Sequence, residues 1–208
     1  MSAYNMTFTA GAAMINETCA VAEAFFDCDK DWEKTWQKAL NENLMAKEKL
    51  SSNRRYFALV KQRLETLSED ELLALLEGSV PVRRQMILLA ICKAHPFIYD
   101  FLTENVRDAF FMMQEKVSFA NFNEFFNEKK YDHPELNDIT DVTVAKMRQV
   151  VFRIMEQTEL IENVDSGVIR RPYLSEKVER IVVKDDSKWL TIYLYSNNEI
   201  NSLRELYA

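Results

Sequence analysis

The sequence predicts a mainly α-helical protein with a small C-terminal β-hairpin, and three observations support this fold class. Only three glycines and four prolines occur among 208 residues, so turns are scarce and long helices are favoured. Over residues 142–158, apolar side chains recur at spacings of three and four, which places them on one face of a helix. The turn signal Asp165-Ser166-Gly167 and the pair Val168-Ile169 follow, and Pro172 ends any strand pairing. A helix that runs into a hairpin, or wing, is the layout of a winged helix.

The other helices follow in chain order from apolar spacing and from residues that start and stop helices. Ser68 and Glu71 form a capping-box pattern, and Gly78 stops the short helix that they begin. Pro81 suits the first turn of the next helix, in which residues 86–92 are apolar almost all round, so this helix is predicted to be central and buried. The predicted helices lie at about residues 13–26, 31–43, 52–66, 68–78, 81–93, 96–115, 118–130, 142–158, 175–183 and 198–207.

Two further segments carry specific predictions. Residues 190–195 are rich in β-branched and aromatic side chains, which predicts a strand that could pair with the wing. Phenylalanines cluster in the helix that starts at Ser118. They could stack on RNA bases, but we favour a buried core because large aromatic side chains are usually packed inside. These residues are Phe119, Phe122, Phe125 and Phe126.

The chain divides into three predicted segments that together form one compact unit. Residues 1–78 form an N-terminal helical lobe with a helix-turn-helix-like unit, and residues 79–139 form a central helical core. Residues 140–208 form a C-terminal winged-helix-like lobe. A chain of this length is large enough for one sizeable hydrophobic core.

Positive charge is concentrated in one stretch of an acidic chain. The net charge is −7, which argues against indiscriminate binding to nucleic acids. Residues 46–63 nevertheless hold six basic residues against one acidic residue, a local net charge of +5. A helix at 31–43, a short connection and a basic helix at 52–66 resemble a helix-turn-helix, whose second helix can enter the major groove of DNA.

These features define the candidate DNA-binding residues. Arginine suits this task because its planar fork can bind phosphate or guanine with two hydrogen bonds. The alternative is a solvated charged face, or a surface that docks on an acidic partner. The candidates in the helix-turn-helix-like unit are Lys47, Lys49, Arg54, Arg55, Lys61 and Arg63. The candidates in the winged-helix-like lobe are Lys146, Arg153, Arg170 and Arg171.

The sequence lacks the motifs of common catalytic and metal sites. The two histidines, His95 and His133, each precede a proline and belong to no metal-ligand or triad pattern. No phosphate-binding glycine loop and no HExxH motif occurs, so we expect no cofactor, no metal and no small-molecule substrate. Three unpaired cysteines and the absence of an uninterrupted apolar span predict a cytoplasmic protein without a membrane segment.

Short segments along most of the chain, in a characteristic order and spacing, carry a resemblance to a known family. They are Thr9-Ala10-Gly11, Asn43-Leu44, Arg54 to Leu64, Leu88 to Lys93, Asp100-Phe101-Leu102, Arg148 to Arg153, Leu160-Ile161, and the positions Ile169, Pro172, Leu174 and Ser175. In these segments the chain resembles the BrxA family of BREX phage-defence systems. The resemblance implies a small helical, non-enzymatic component of a defence island, with a core similar to the NusB antitermination fold and an ability to bind double-stranded DNA. It also implies other BREX proteins as partners.

The sequence therefore leads to one main hypothesis and two alternatives, with a metal-dependent nuclease as the weakest contender. The main hypothesis is double-stranded DNA binding through phosphate neutralisation, because lysines and arginines without a set of asparagine or glutamine base readers favour backbone contacts. One alternative is an interaction scaffold within the defence complex. The other is RNA binding of the NusB type, which requires a preference for RNA over duplex DNA.

Overall fold

The first part of the chain folds into four helices, and side-chain caps fix the starts of the second and the fourth. A computed structural model describes residues 4–207, so residues 1–3 and 208, at the ends of the first and last predicted segments, lie outside the described residues. The Asp31 carboxylate accepts hydrogen bonds from the backbone of the next helix, and Ser68 and Glu71 form the predicted capping box. After a 3₁₀ turn at Thr7–Ala10, the helices are α1 (Ile15–Asp27), α2 (Trp32–Asn41), α3 (Leu50–Leu64) and α4 (Glu69–Glu77).

Helix α5 (Val80–Ala94) lies at the centre of the molecule. Residues 86–92 are all buried, which confirms the prediction of a central helix. Helices α1, α3 and α4 pack against it. An apolar surface on every side of a helix is stable only when other elements cover it all round, and this is the arrangement observed.

The predicted helix at 96–115 is broken and shorter than expected. It consists of α6 (Pro96–Phe101), a π-helical turn at Leu102–Val106, and α7 (Arg107–Phe111). Helix α8 (Phe119–Lys129) then packs its phenylalanines on α6, with Phe122 and Phe125 close to Phe97 and Phe101. Phe122, Phe125 and Phe126 are buried, which confirms the core interpretation, whereas Phe119 is 37% exposed.

The hairpin predicted after α9 (Asp141–Gln157) is not formed, so the prediction of a wing was wrong. A turn does occur, at Gly167 with φ +59°, where a Cβ atom would lie 2.0 Å from the carbonyl oxygen of Val117. The residues on either side of this turn, its two arms, form only isolated antiparallel bridges. One joins the arms at Ile161 and Ile169, and the other joins Val168 to Lys116, which precedes α8. The arms are too short for strands because α9 ends only a few residues before the turn and Pro172 interrupts the chain beyond it.

The strand predicted at residues 190–195 was also wrong. Helix α10 (Glu176–Asp186) leads into a 3₁₀ helix at Ser187–Tyr193, and α11 (Asn197–Leu206) follows. All of residues 190–195 except Thr191 are buried against the helical core. No neighbouring strand exists among residues 4–207 with which they could pair. β-Propensity reports such burial as much as backbone preference.

One hydrophobic core draws on all three predicted segments, from Tyr4 through Leu88 to Ile200. Similarity to the NusB fold stays a prediction. Within the described residues, no single helix is long and apolar enough to cross a bilayer. Residues 80–94 and 96–111 reach that character only together, and they are bent by 113°.

Candidate nucleic-acid interface

A cleft of about 1290 Å³ opens where the N-terminal segment meets α9. Residues 9–12, Met14 and the first turns of α1 line it, together with the exposed face of α9 and the start of α5. Lys47, from the connection before α3, and Tyr56, from α3, also line it, and Phe119 and Val164 complete the lining. The cleft therefore brings together elements that are far apart in the sequence.

Five basic side chains and two acidic ones line this cleft, a net charge of +3. In a chain with a net charge of −7, this is a local concentration of positive charge facing a concave surface. Cations grouped in this way attract phosphates, because each one can neutralise part of a polyanion. The basic residues are Lys47, Arg83, Arg84, Lys146 and Arg153, and the acidic residues are Glu17 and Glu23.

Helix α9 contributes Lys146 and Arg153 because its two faces differ. Met147 and Ile154 are buried on one face, while Lys146 and Arg153 are exposed on the other. Nη1 of Arg153 lies 2.5 Å from Oε2 of Glu156, one turn further along. Such exposed ion pairs contribute little stability, so a phosphate can replace the glutamate at small cost.

Arg83 and Arg84 were missed by the sequence analysis. Nε and Nη2 of Arg83 donate to the carbonyl oxygens of Gly78 and Leu76, at the C-terminal end of α4, where a cation is favoured. Arg84 pairs with Glu159, which directly follows α9. The available signal was an adjacent pair of arginines in the first turns of a helix that is otherwise apolar.

Tyr56 carries two cations on its ring. Nζ of Lys47 lies 4.7 Å from the ring centre, and the Arg55 guanidinium lies 5.3 Å from it. A Cβ atom on Gly11 would lie 3.3 Å from the Tyr56 ring and 2.5 Å from Sδ of Met14. Glycine at position 11 therefore lets the N-terminal segment approach α3 closely.

Four other predicted residues of the helix-turn-helix-like unit lie outside the cleft lining, and one of them is Arg55, which is exposed on α3. Lys49 and Arg54 are exposed at the start of α3, and neither has an ion-pair partner within residues 4–207. Lys61 lies further along α3, 5.3 Å from the Trp32 ring centre and 3.6 Å from Glu65.

The prediction that Arg63 faces DNA was wrong. Its side chain is fully buried, and Nη1 and Nη2 donate to the carbonyl oxygens of Ala12 and Gly11 at 2.7 and 2.9 Å. Burial lowers the pKa of the guanidinium to about 9. Arg63 cannot contact a phosphate from this position, although it touches the backbone that lines the cleft.

Arg170 and Arg171 are not brought to the cleft either. They line a separate concavity of about 490 Å³ beside Tyr173. Arg170 pairs with Glu162 at 2.7 Å, and Arg171 pairs with Glu199 at 2.6 Å. Both arginines therefore lie on a different surface from the cleft cations.

The part of the chain that the structure describes contains no group of three or more histidine, cysteine, aspartate or glutamate side chains placed to hold a metal. His95 is buried without a hydrogen-bond partner for either ring nitrogen, and burial beside Arg63 lowers its pKa to about 3. Nδ1 of His133 lies 3.1 Å from Glu135. Neither histidine lines the cleft.

The fold and this site define a class: an α-helical protein with one shared core and a cleft whose charged side chains are mainly cations. A family model described as BrxA matches residues 2–186. The chain is 27% identical over 173 residues to the BREX protein BrxA of Escherichia coli O9:H4 (strain HS), covering 83% of this chain and 80% of that protein. It is 25% identical over 158 residues to the BREX protein BrxA of Bacillus cereus (strain H3081.97), covering 75% and 79%. The chain belongs to the BrxA family.

A solved structure shows the same fold. The crystal structure of an uncharacterized protein from Magnetospirillum magneticum aligns with a TM-score of 0.80 and 19% sequence identity. The alignment covers 93% of this chain and 98% of the other. Almost the whole described architecture is therefore shared.

Proposed function

We propose that this protein is a component of a BREX bacteriophage-defence system that binds double-stranded DNA in the cation-lined cleft, without catalysing a reaction. The names of its relatives support the assignment to BREX. One observation carries the DNA-binding proposal: Lys47, Arg83, Arg84, Lys146 and Arg153 converge on one concave surface of an acidic protein.

The chemistry of the lining favours the phosphate backbone as the ligand. Lysine and arginine neutralise phosphates and release condensed counterions, which gives affinity with little dependence on base sequence. Three amide side chains line the cleft beside the cations: Asn16, Gln149 and Gln157. Gln157 already accepts a hydrogen bond from Ala13, so its carbonyl oxygen is not free to read bases.

A mobility-shift titration at several salt concentrations tests the proposal. It compares duplex DNA, single-stranded DNA and RNA with the wild type and a cleft variant, Lys47→Ala/Lys146→Ala/Arg153→Ala. We expect a preference for duplex DNA, and in the variant a lower affinity with a salt dependence shallower by about one per lost phosphate contact. A preference for RNA supports the NusB-type alternative instead.

Two further variants make the result specific. Lys34→Ala/Lys177→Ala/Lys188→Ala removes the same charge from exposed positions outside the cleft and should leave the salt dependence unchanged. Arg54→Ala/Arg55→Ala/Lys61→Ala tests the helix that the sequence analysis singled out. If this helix variant loses affinity and the cleft variant does not, the cleft is not the DNA site. Duplex DNA that stays intact with the protein and magnesium ions supports the absence of nuclease activity, and cleavage contradicts it.

A scaffold role is the second candidate, because apolar side chains protrude at the end of α7. Met112 and Met113 are 71% and 88% exposed, and Phe111 beside them is 42% exposed. Flexible methionines at a surface suit adaptable protein contacts. If Met112→Ser/Met113→Asn abolishes co-purification of other BREX proteins while DNA affinity is retained, this surface is a docking site.

A further inference from the structure

The N-terminal segment that lines the cleft before α1 is held by two helices at once. Gly11 and Ala12 accept hydrogen bonds from Arg63 of α3, and the N–H of Ala13 donates to Oε1 of Gln157, the last residue of α9, at 2.9 Å. Residues 11–13 thus span the distance between α3, which carries Tyr56, and α9, which carries Arg153.

The Arg63 side chain occupies an unusual position for a cation. It is fully buried, its Nε has no hydrogen-bond partner, and no carboxylate within residues 4–207 lies at ion-pair distance. An unpaired buried charge is destabilising, and an apolar side chain of similar size would fill the same space without that cost. What Arg63 adds is the planar fork that binds two consecutive carbonyl oxygens.

Close packing limits where this segment can lie. A Cβ atom on Gly11 would lie 2.5 Å from Sδ of Met14 and 3.3 Å from the Tyr56 ring, so the Met14 side chain would have to shift. Met14, at the start of α1, adopts a left-handed conformation with φ +52°. A segment under these constraints moves as a unit when one of its attachments is lost.

We propose that Arg63 and Gln157 are positioning residues that set the width of the cation-lined cleft by fixing residues 11–13 between α3 and α9. The ligand part of this inference rests on the proposed function. Neither residue needs to contact the DNA. Their effect is the distance between the cations on the α3 side and those on α9, which decides how closely the same set of cations fits the spacing of the phosphates on one duplex.

Two variants, Arg63→Met and Gln157→Leu, test this role in the full-length protein. Because no phosphate contact is removed, we expect duplex affinity to fall while the slope of log affinity against log salt stays at the wild-type value. Loss of a hydrogen bond to a charged group corresponds to roughly a tenfold weaker association. Amide hydrogen exchange of residues 11–14 should be faster than in the wild type, with unchanged far-UV circular dichroism.

The controls separate charge, geometry and folding. Arg63→Lys keeps the charge but lacks the fork, so most of the affinity loss should remain. If Arg63→Met does not fold, Gly11→Ala displaces the same segment without changing any charge, and the same pattern is expected from it. Lys34→Met, on α2, should match the wild type in every measurement.

Three results would overturn the inference. Unchanged exchange of residues 11–14 shows that Arg63 and Gln157 do not hold the segment, whatever the binding result. Faster exchange with unchanged affinity shows that its position does not matter for binding. A salt slope that falls by about one in Arg63→Met shows direct phosphate contact. If the wild type does not bind duplex DNA, the proposed function fails and the claim about phosphates fails with it, while the exchange data alone decide whether the segment is held.

Discussion

Glu71 and Lys93 form an ion pair inside the protein, with Oε2 and Nζ 2.7 Å apart and the side chains 0% and 6% exposed. The same carboxylate accepts a hydrogen bond from the backbone N–H of Ser68 in the capping box of α4. Lys93 also lies 2.8 Å from Asp185 of α10. One buried cation therefore links α4, α5 and α10.

We expect Lys93→Met to be strongly destabilising, because it leaves the Glu71 carboxylate buried without a cation. Breaking one partner of a buried pair costs about 3–5 kcal/mol. Urea unfolding followed by circular dichroism measures this loss. The double variant Glu71→Leu/Lys93→Met should regain part of it, and Lys188→Met, at an exposed pair, should cost much less. A loss equal to that of Lys188→Met would show that the buried pair has no special role.

His95 predicts a pH dependence of stability. Its pKa in the folded protein, about 3, is lower than the value of about 6.5 in an unfolded chain. The unfolded state therefore binds more protons between these values, and stability present above pH 6.5 is lost as the pH falls towards 3. The slope from this group is at most about 1.4 kcal/mol per pH unit. His95→Phe should flatten the curve of unfolding free energy between pH 4 and 7, and an unchanged slope would assign it to other groups.

The segment after residue 186 should be essential for folding, although the family model ends there. Leu190, Ile192, Tyr193 and Leu194 are fully buried, and the Tyr193 hydroxyl donates to the carbonyl oxygen of Gln85 in α5 at 2.7 Å. A chain ending at Asp186 should lose its cooperative thermal transition, because a large apolar surface of the central helix is uncovered. Tyr193→Phe should cost only about 1 kcal/mol. A truncated chain that unfolds cooperatively at the wild-type temperature would contradict this view.

Cys19 offers a direct report on occupancy of the cleft. Its side chain is half-buried in the cleft lining, and this burial raises the pKa of its thiol. Because the thiolate is the reactive form, labelling by a disulfide reagent should increase only at alkaline pH. In a Cys28→Ala/Cys92→Ala background, duplex DNA should slow this labelling. In a Cys19→Ala/Cys92→Ala background, the remaining Cys28, which does not line the cleft, should react at the same rate with and without DNA. Equal protection of both thiols would point to a general effect of DNA on the protein.

The two acidic residues of the cleft should weaken DNA binding. Glu17 and Glu23 face the same concavity as the cations and repel phosphates. Glu17→Gln/Glu23→Gln should raise duplex affinity roughly twofold to fivefold at low salt, with a smaller gain as salt screens the charges. Glu33→Gln, on α2, is the control for a charge removed elsewhere. An unchanged affinity in Glu17→Gln/Glu23→Gln would place the DNA on another surface.

Features that depend on local sequence could be predicted, and features that depend on distant contacts could not. Helices α5 and α9 follow from apolar spacing and from their first residues, so their positions were predicted to within one or two residues. The 3₁₀ helix at Ser187–Tyr193 was mistaken for a strand because β-branched and aromatic residues also suit burial against helices. The neighbouring residues in the sequence do not show that Tyr193 in this helix bonds to the backbone of α5.

The candidate site was predicted in part for the same reason. Lys146 and Arg153 were found because they lie opposite the apolar face of α9. Arg63 lies next to the buried Leu64 in sequence, and only the tertiary approach of residues 11 and 12 shows that its side chain is buried too. Arg83 and Arg84 reach the cleft through the packing of α5, which no count of charges along the chain would show.

The hydrogen bond between Ala13 and Gln157 spans 144 residues, and this sets an order of events during synthesis. Arg63, which binds Gly11 and Ala12, is made about 50 residues after them. Gln157 comes much later, because a ribosome working at about 5–20 residues per second needs roughly 7–29 s to go from Ala13 to Gln157. The N-terminal segment can therefore dock on α3 long before α9 exists. Before α9 is made, a nascent chain carries only Lys47, Arg83 and Arg84 of the five cleft cations, so the set is completed only when Lys146 and Arg153 have been translated.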